Sequence, residues 1–405
     1  MSTIHVARQP IFELGRGLFG YELLYRRDSS ADRADSDHAS MSAEVISNSL
    51  LALGLRNLSG GGLAFVNFSR GQLLNESWEL FEPDSVVIEL LESVECDYET
   101  LAAATRMVKA GYRLALDDYI PDARMRPLLE LASIVKIDVL NRPHPELRAV
   151  TNDLRASDAR LLAERVETAA VRNMCADLGY ELFQGFLFSK PEVLTRTDVS
   201  ASHFAIMRLL NLLRDPYTTD NALDSAFQSD VALCYKLLRI VNAASLGGRG
   251  ITSIPHAVRM VGRDMLHRWL AVILVASLGR RGDVSHELAL TSITRARMCE
   301  LVASSSAARR NADSAFIVGL LSLLDVLLEV PMDKILARLE LSDDVRGALL
   351  QRHGPFGTPL QLVEAYEKAN WDKARGLATE NAVPDEMVPD LYLESLNWAS
   401  EQIAA

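Results

Sequence analysis

The sequence predicts an α/β domain followed by an all-α domain. The first is a (β/α) barrel of eight strands whose first strand runs antiparallel, and the second is a helical bundle. Three observations predict this. Up to about residue 190, short apolar runs alternate with segments of helical periodicity. Polar side chains recur at the ends of those runs. From about Ser202 onward strand signals stop and the helical pattern continues nearly to the end. A chain of 405 residues suits two domains that each bury a core, placed here at 1–198 and 199–405.

Val6–Phe12 and Phe19–Arg26 are joined by Glu13-Leu14-Gly15-Arg16-Gly17-Leu18. That link is too short for a parallel crossover, so the two strands are expected to pair antiparallel. Further strands are expected at Leu63–Asn67, Val86–Leu90, Tyr112–Asp117, Ile134–Val139, Leu161–Val166 and Leu182–Phe186. Helices are expected between them at Ala43–Leu53, Tyr98–Ala110, Glu146–Ala156 and Thr168–Leu178.

An open doubly wound sheet offers the same alternation, and the strand ends separate the two readings. Glu22, Asn67, Glu89, Asp117 with Asp118, Lys136, Glu164 and Gln184 each sit within or just after an apolar strand. A barrel gathers such ends at one mouth, whereas an open sheet spreads them along a line. Each residue has a plain explanation alone: Asn67 as a helix N-cap, Lys136 and Glu164 as rim charges. Their recurrence on consecutive strands argues for one shared polar site. Within it, Asp117 and Asp118 are adjacent, and adjacent acids on a strand face opposite ways unless the backbone turns. Where it turns, both reach one mouth, a geometry suited to hard divalent ions.

The stretches around these residues are Gln9-Pro10-Ile11, Glu22-Leu23-Leu24-Tyr25-Arg26, Asn67-Phe68-Ser69 and Glu89-Leu90-Leu91-Glu92. They continue with Lys136-Ile137-Asp138, Glu164-Arg165-Val166-Glu167-Thr168 and Gln184-Gly185-Phe186. Over about residues 4–195 the chain therefore resembles the EAL domain, a TIM-like barrel family that hydrolyses or binds cyclic di-GMP. The resemblance implies that Glu22, Asn67, Glu89, Asp117 and Asp118 hold one or two Mg²⁺ or Mn²⁺ ions. It implies that Lys136 steadies the attacking water, Glu164 acts as general base and Gln184 lines the site. Gln9 and Arg26 would contact the ligand, Arg26 through a phosphate that its planar fork fits.

Three departures accompany the resemblance. Active members read D-D-F-G-T-G where this chain reads Asp117-Asp118-Tyr119-Ile120-Pro121-Asp122, so a proline-stiffened loop replaces a glycine one. Leu23 replaces the signature alanine. Arg165 stands where the family has glycine and is expected to lower the basicity of Glu164 or to block access to it.

In the second half, helices are expected at Ala205–Leu213, Val231–Asn242, Ile254–Val261, Met265–Leu278, Ile293–Ser304, Ala315–Glu329 and Met332–Leu339. Breaks fall at Asp215-Pro216, at Gly247-Gly248-Arg249-Gly250, at Pro331 and at Gly354-Pro355. No His-Asp dipeptide, metal-ligand spacing or phosphate loop occurs here. His256 and His267 could share a helical face, but each reads more simply as a surface or core residue. The stretches Asp230–Ala244, Ile251–Val258, Val261-Gly262 and Ala315–Asp325 resemble the HDOD domain, an output module built like the HD hydrolases without their catalytic residues. Ser322 and Leu323 stand where the HD family has histidine and aspartate, and neither can rebuild a binuclear metal site. Asn242 is expected to cap or brace the bundle.

Together the halves resemble the YuxH-like EAL–HDOD signalling proteins of bacteria, a group usually described as degenerate. The resemblance implies a regulator in which the barrel binds cyclic di-GMP or partner proteins, and the HDOD half gives output by protein contact. Control of motility and biofilm, and a homodimer, belong to the same expectation. The alternative is an active metal-dependent phosphodiesterase that converts cyclic di-GMP to pGpG. A formal charge of −12 argues against bulk electrostatic binding of nucleic acid or anionic membrane. The longest apolar run, Trp269–Leu278, is too short to span a bilayer, and Met1–Arg8 lacks the apolar core of a signal peptide. The scattered Cys96, Cys175, Cys234 and Cys299 suit small apolar fillers in a reduced, cytoplasmic protein.

Overall fold

The computed structural model describes residues 4–15, 17–27, 55–59, 62–140, 142–154, 157–185, 201–215, 217–219, 222–223, 258–260, 262–279, 284–305, 311–339 and 341–404. The helices expected at Ala43–Leu53 and Val231–Asn242 lie outside the described residues, as do most of Ile254–Val261, the 247–250 glycine run, His256, Phe186, Cys234 and Asn242. The chain forms two compact units. One is Met1–Glu192 with Gly282–Val284 and Tyr366–Trp371; the other is Val193–Arg281, Ser285–Ala365 and Asp372–Ala405.

The first unit is a closed barrel in the order β1 to β8. Its strands are β1 Ile4–Glu13, β2 Leu18–Arg27, β3 Leu63–Phe68, β4 Val86–Leu90, β5 Arg113–Leu116, β6 Ile134–Asp138, β7 Arg160–Glu164 and β8 Leu182–Phe183. β1 pairs antiparallel with both β2 and β8, and all other neighbours are parallel. Val86, Val87 and Ile88 are all fully buried, as expected for a parallel strand covered on both faces. Two of the crossover helices are capped by side-chain oxygens: Asp97 accepts from the Thr100 N–H, and Thr168 from the Val171 N–H. Ser69, not Asn67, is the N-cap after β3, in a capping box with Gln72.

One side chain from β1 and from each of β3 to β8 fills the barrel interior: Ile11, Phe65, Val87, Ala115, Ile134, Leu162 and Leu182. That layer sets the inward face of those seven strands. β5 stops at Leu116, one residue short of the expected end, because Asp118 takes a left-handed φ of 41° and turns the chain.

The second unit is helical in all its described secondary structure. The helix expected from Ile293 begins at Val284; it is buried nearly all round, from Leu288 to Val302, so no apolar stripe marks its start. The single helix expected at Ala315–Glu329 is two, Ala312–Leu321 and Leu324–Leu328. The Ser322 hydroxyl donates back to the Gly319 carbonyl at 2.7 Å, which competes with continuation of the helix. Arg295 Nη1 donates to that same hydroxyl oxygen at 3.2 Å. Cys175 and Cys299 are fully buried, as expected of small apolar fillers.

His267 is a core residue, held neutral because burial, with Arg214 nearby, pushes its pKa down to about 4. The unfolded chain takes up that proton near the usual value of 6.5, so stability is complete above that pH and falls as pH drops toward 4. The loss is expected to reach about 3 kcal/mol. Urea melts between pH 7 and 4 test this, and His267→Leu is expected to flatten the profile.

Candidate functional site

Register builds the site. Moving two residues along a strand returns to the same face. Two residues beyond the interior layer toward the mouth, the inward side chains are Asn67, Glu89, Asp117, Lys136, Glu164 and Gln184. On antiparallel β1 the step runs backwards, from Ile11 to Gln9, and Gln9 pairs in register with Glu22 of β2. The next layer of an apolar barrel is thus polar on every strand.

Lys136 lies at the centre and is 1% exposed. Its ammonium pairs with Glu89, with Glu164 at 2.9 Å, with Asp117 at 3.0 Å and with Glu22 at 3.4 Å. Gln184 Nε2 donates to Glu22 at 2.7 Å and to Gln9 Oε1 at 3.0 Å, tying the last strand to the first two. Asp118 sits exposed at the rim. Arg26, half-buried, lies on β2 opposite His5, two steps beyond Glu22.

Electrostatics follow from this crowding. Burial works against the Lys136 charge, yet Glu22, Glu89, Glu164 and Asp117 outweigh it and hold the ammonium well above its usual range. Burial also raises the Glu89 carboxyl. Glu164 is pushed up to about 8 by burial and by Asp117 and Glu22, against the pull of Lys136. A carboxyl held near neutrality is suited to proton transfer. Asp118 is raised by partial desolvation and by Asp117, Asp138 and Glu92.

Arg165 does not act as the sequence reading expected. Its guanidinium turns to Asp138 at 2.8 Å and is 61% exposed, while its backbone takes the left-handed φ of 55° that a glycine would favour. The raised carboxyl of Glu164 is the opposite of the lowered basicity expected from a cation beside it. The sequence reading gave no role to two contributors that lie within the stretches it quoted. Asp138 is one, and its spacing of two from Lys136 was the signal that could have found it. Tyr25 is the other: its hydroxyl donates to the Asn67 carbonyl at 2.5 Å, and burial with Glu89 and Glu22 nearby raises its pKa.

Among the described residues no three His, Cys, Asp or Glu side chains stand at metal-holding geometry; the carboxylates close on the Lys136 ammonium. Their chemistry nevertheless fits a hard divalent cation. Glu22, Asn67, Glu89, Asp117 and Asp118 offer oxygen donors only, and the buried Asn67 Oδ1 and Glu89 Oε2 have no hydrogen-bond partner. No helix among the described residues is long and apolar enough to cross a membrane.

Comparison with known proteins adds the following. The HDOD domain family model matches residues 202–334. The chain is 31% identical to the uncharacterized protein YuxH of Bacillus subtilis over 402 residues, covering 98% of both chains. It is also 31% identical over 407 residues to the cyclic di-GMP phosphodiesterase CdgJ of Vibrio cholerae, covering 99% of this chain and 93% of that one. Among solved structures, the EAL enzyme Bd1971 with cAMP and cyclic di-GMP bound aligns at 19% identity and a TM-score of 0.37. That alignment covers 46% of this chain and 61% of the other.

Proposed function

The chain belongs to the EAL–HDOD family that includes YuxH and CdgJ, and from that premise we propose that it is a cyclic di-GMP signalling protein. Its barrel mouth binds the dinucleotide and is equipped to cleave it, and its HDOD unit passes the resulting state on by protein contact. One observation carries this reading: the polar ring assembled around Lys136 from Glu22, Glu89, Asp117 and Glu164, closed by Gln184 and Gln9.

Glu22, Asn67, Glu89, Asp117 and Asp118 would hold Mg²⁺ or Mn²⁺. When bound, such an ion supplies an activated water and offsets charge on the phosphodiester. Glu164 would take the proton of the water as the water oxygen bonds to phosphorus, and the leaving sugar oxygen would receive a proton as its P–O bond breaks. Lys136 would fix the water's position, and Gln184 orients Glu22. Gln9 and Arg26 hold the ligand, with the Arg26 fork suited to a phosphate. The Arg165 guanidinium is engaged by Asp138, while Glu164 is paired with Lys136.

A receptor without turnover is the second reading, and the stiff loop after the paired aspartates favours it. There the Tyr119 N–H is tied to the Lys136 carbonyl at 3.0 Å, directly after the strained Asp118. Calorimetric titration with cyclic di-GMP in Ca²⁺, then chromatography for pGpG in Mg²⁺ or Mn²⁺, decides between them. The expected result is binding plus product, with Glu164→Ala reducing product at least about 100-fold. Binding without product would establish the receptor. Absence of both would leave the barrel a protein scaffold.

A further inference from the structure

We propose that Lys136 has a task that precedes any chemistry. Its ammonium is the internal counter-ion that holds the mouth together in the metal-free protein, and it competes with the divalent cation for the same carboxylates. This rests on reading the mouth as a divalent-cation site.

The geometry supplies the reason. Lys136 rises from β6 between Asp117, just beyond the end of β5, and Glu164 on β7, and it reaches across the barrel to Glu22 on β2 and Glu89 on β4. Four carboxylates from four strands therefore meet one ammonium, and all have side chains at most 16% exposed. Carboxylates gathered so closely out of water repel one another, and a cation placed among them relieves that repulsion. Lys136 is that cation, built into the chain. Three of its partners, Glu22, Glu89 and Asp117, are also assigned to the divalent ion. One set of oxygens thus serves two cations, and each weakens the hold of the other.

The sign of the effect separates this from a merely structural lysine. A lysine that only shapes the site would bind metal worse when lost. A competing counter-ion would bind it better.

The test uses the full chain, Lys136→Met, Mn²⁺ as the probe, calorimetry for affinity, and melting temperature in EDTA and in saturating Mn²⁺. The variant is expected to melt lower than wild type in EDTA, to bind Mn²⁺ at least about tenfold tighter and to gain more melting temperature from the ion. Equal or weaker Mn²⁺ binding overturns the proposal. Should the variant not fold in EDTA, Glu164→Gln decides: it takes from Lys136 the one carboxyl partner not assigned to the ion and leaves the assigned ligands in place. The ammonium then bears on Glu22, Glu89 and Asp117 alone, so Mn²⁺ binding is expected to weaken, and unchanged or tighter binding overturns the proposal. If wild type binds no Mn²⁺, the cation reading of the mouth falls and this inference with it. If wild type binds it and Lys136→Met binds no tighter, this inference falls alone.

Discussion

Replacing Gly185 by alanine is expected to abolish both cyclic di-GMP and Mn²⁺ binding and to destabilise the barrel by about 3 kcal/mol or more. Gly185 has φ +149°, and a Cβ placed on it would stand 2.3 Å from Val166 N and 2.5 Å from Val166 O. Both atoms are backbone, so no rotamer change relieves the clash. The cost lands on the weakest seam of the barrel. β8 is two residues long, and above it the Val166 N–H donates to the Gln184 carbonyl at 3.0 Å. Opening that seam withdraws Gln184 from Glu22 and Gln9 and leaves the ring incomplete. Calorimetry with each ligand and a urea melt measure the effect. Wild-type affinities in the variant would mean that the seam does not hold the ring.

Gly319→Ala is expected to cost the helical unit about 3 kcal/mol. Here the close contact is between helices. A Cβ on Gly319 would lie 2.4 Å from the Arg295 carbonyl oxygen and 2.7 Å from Ala296 Cα, so Ala312–Leu321 and Val284–Ser305 must move apart. Separation also stretches the hydrogen bond from Arg295 to Ser322. Arg295 is only 5% exposed on its side chain, so a poorer hydrogen bond there is not made good by water. Thermal melts followed by helical circular dichroism, with hydrogen exchange resolved by peptide, locate the loss. Unchanged protection in both helices would show that the packing tolerates the methyl group.

The barrel was legible because its strands are buried on both faces and read as unbroken apolar runs, as in Val86-Val87-Ile88. The site was legible for a related reason: a polar residue two positions beyond a core residue has no place in such a strand unless several meet. What the sequence could not convey was direction. Arg165 reads as a cation beside Glu164, and only the left-handed turn at that residue sends its guanidinium to Asp138. Nor could adjacency show that Lys136 gathers acids from four strands, because those partners are brought together by closure of the barrel. In the helical unit, boundaries failed where burial removes periodicity, as at Val284 to Ile293, and where a serine hydroxyl interrupts a continuous apolar run at Ser322.

The antiparallel first strand has a consequence for biosynthesis. Gln9 and Gln184, hydrogen-bonded to each other, are 175 positions apart, and β1 finds its second neighbour only in β8. On the ribosome, the earliest strand to emerge keeps an open edge until the last has been made, and for that interval it can be captured by a strand of another nascent chain. A truncated chain ending before Leu182 would lack both the closure and Gln184, so the polar ring is completed in one step, when translation passes the final strand of the barrel.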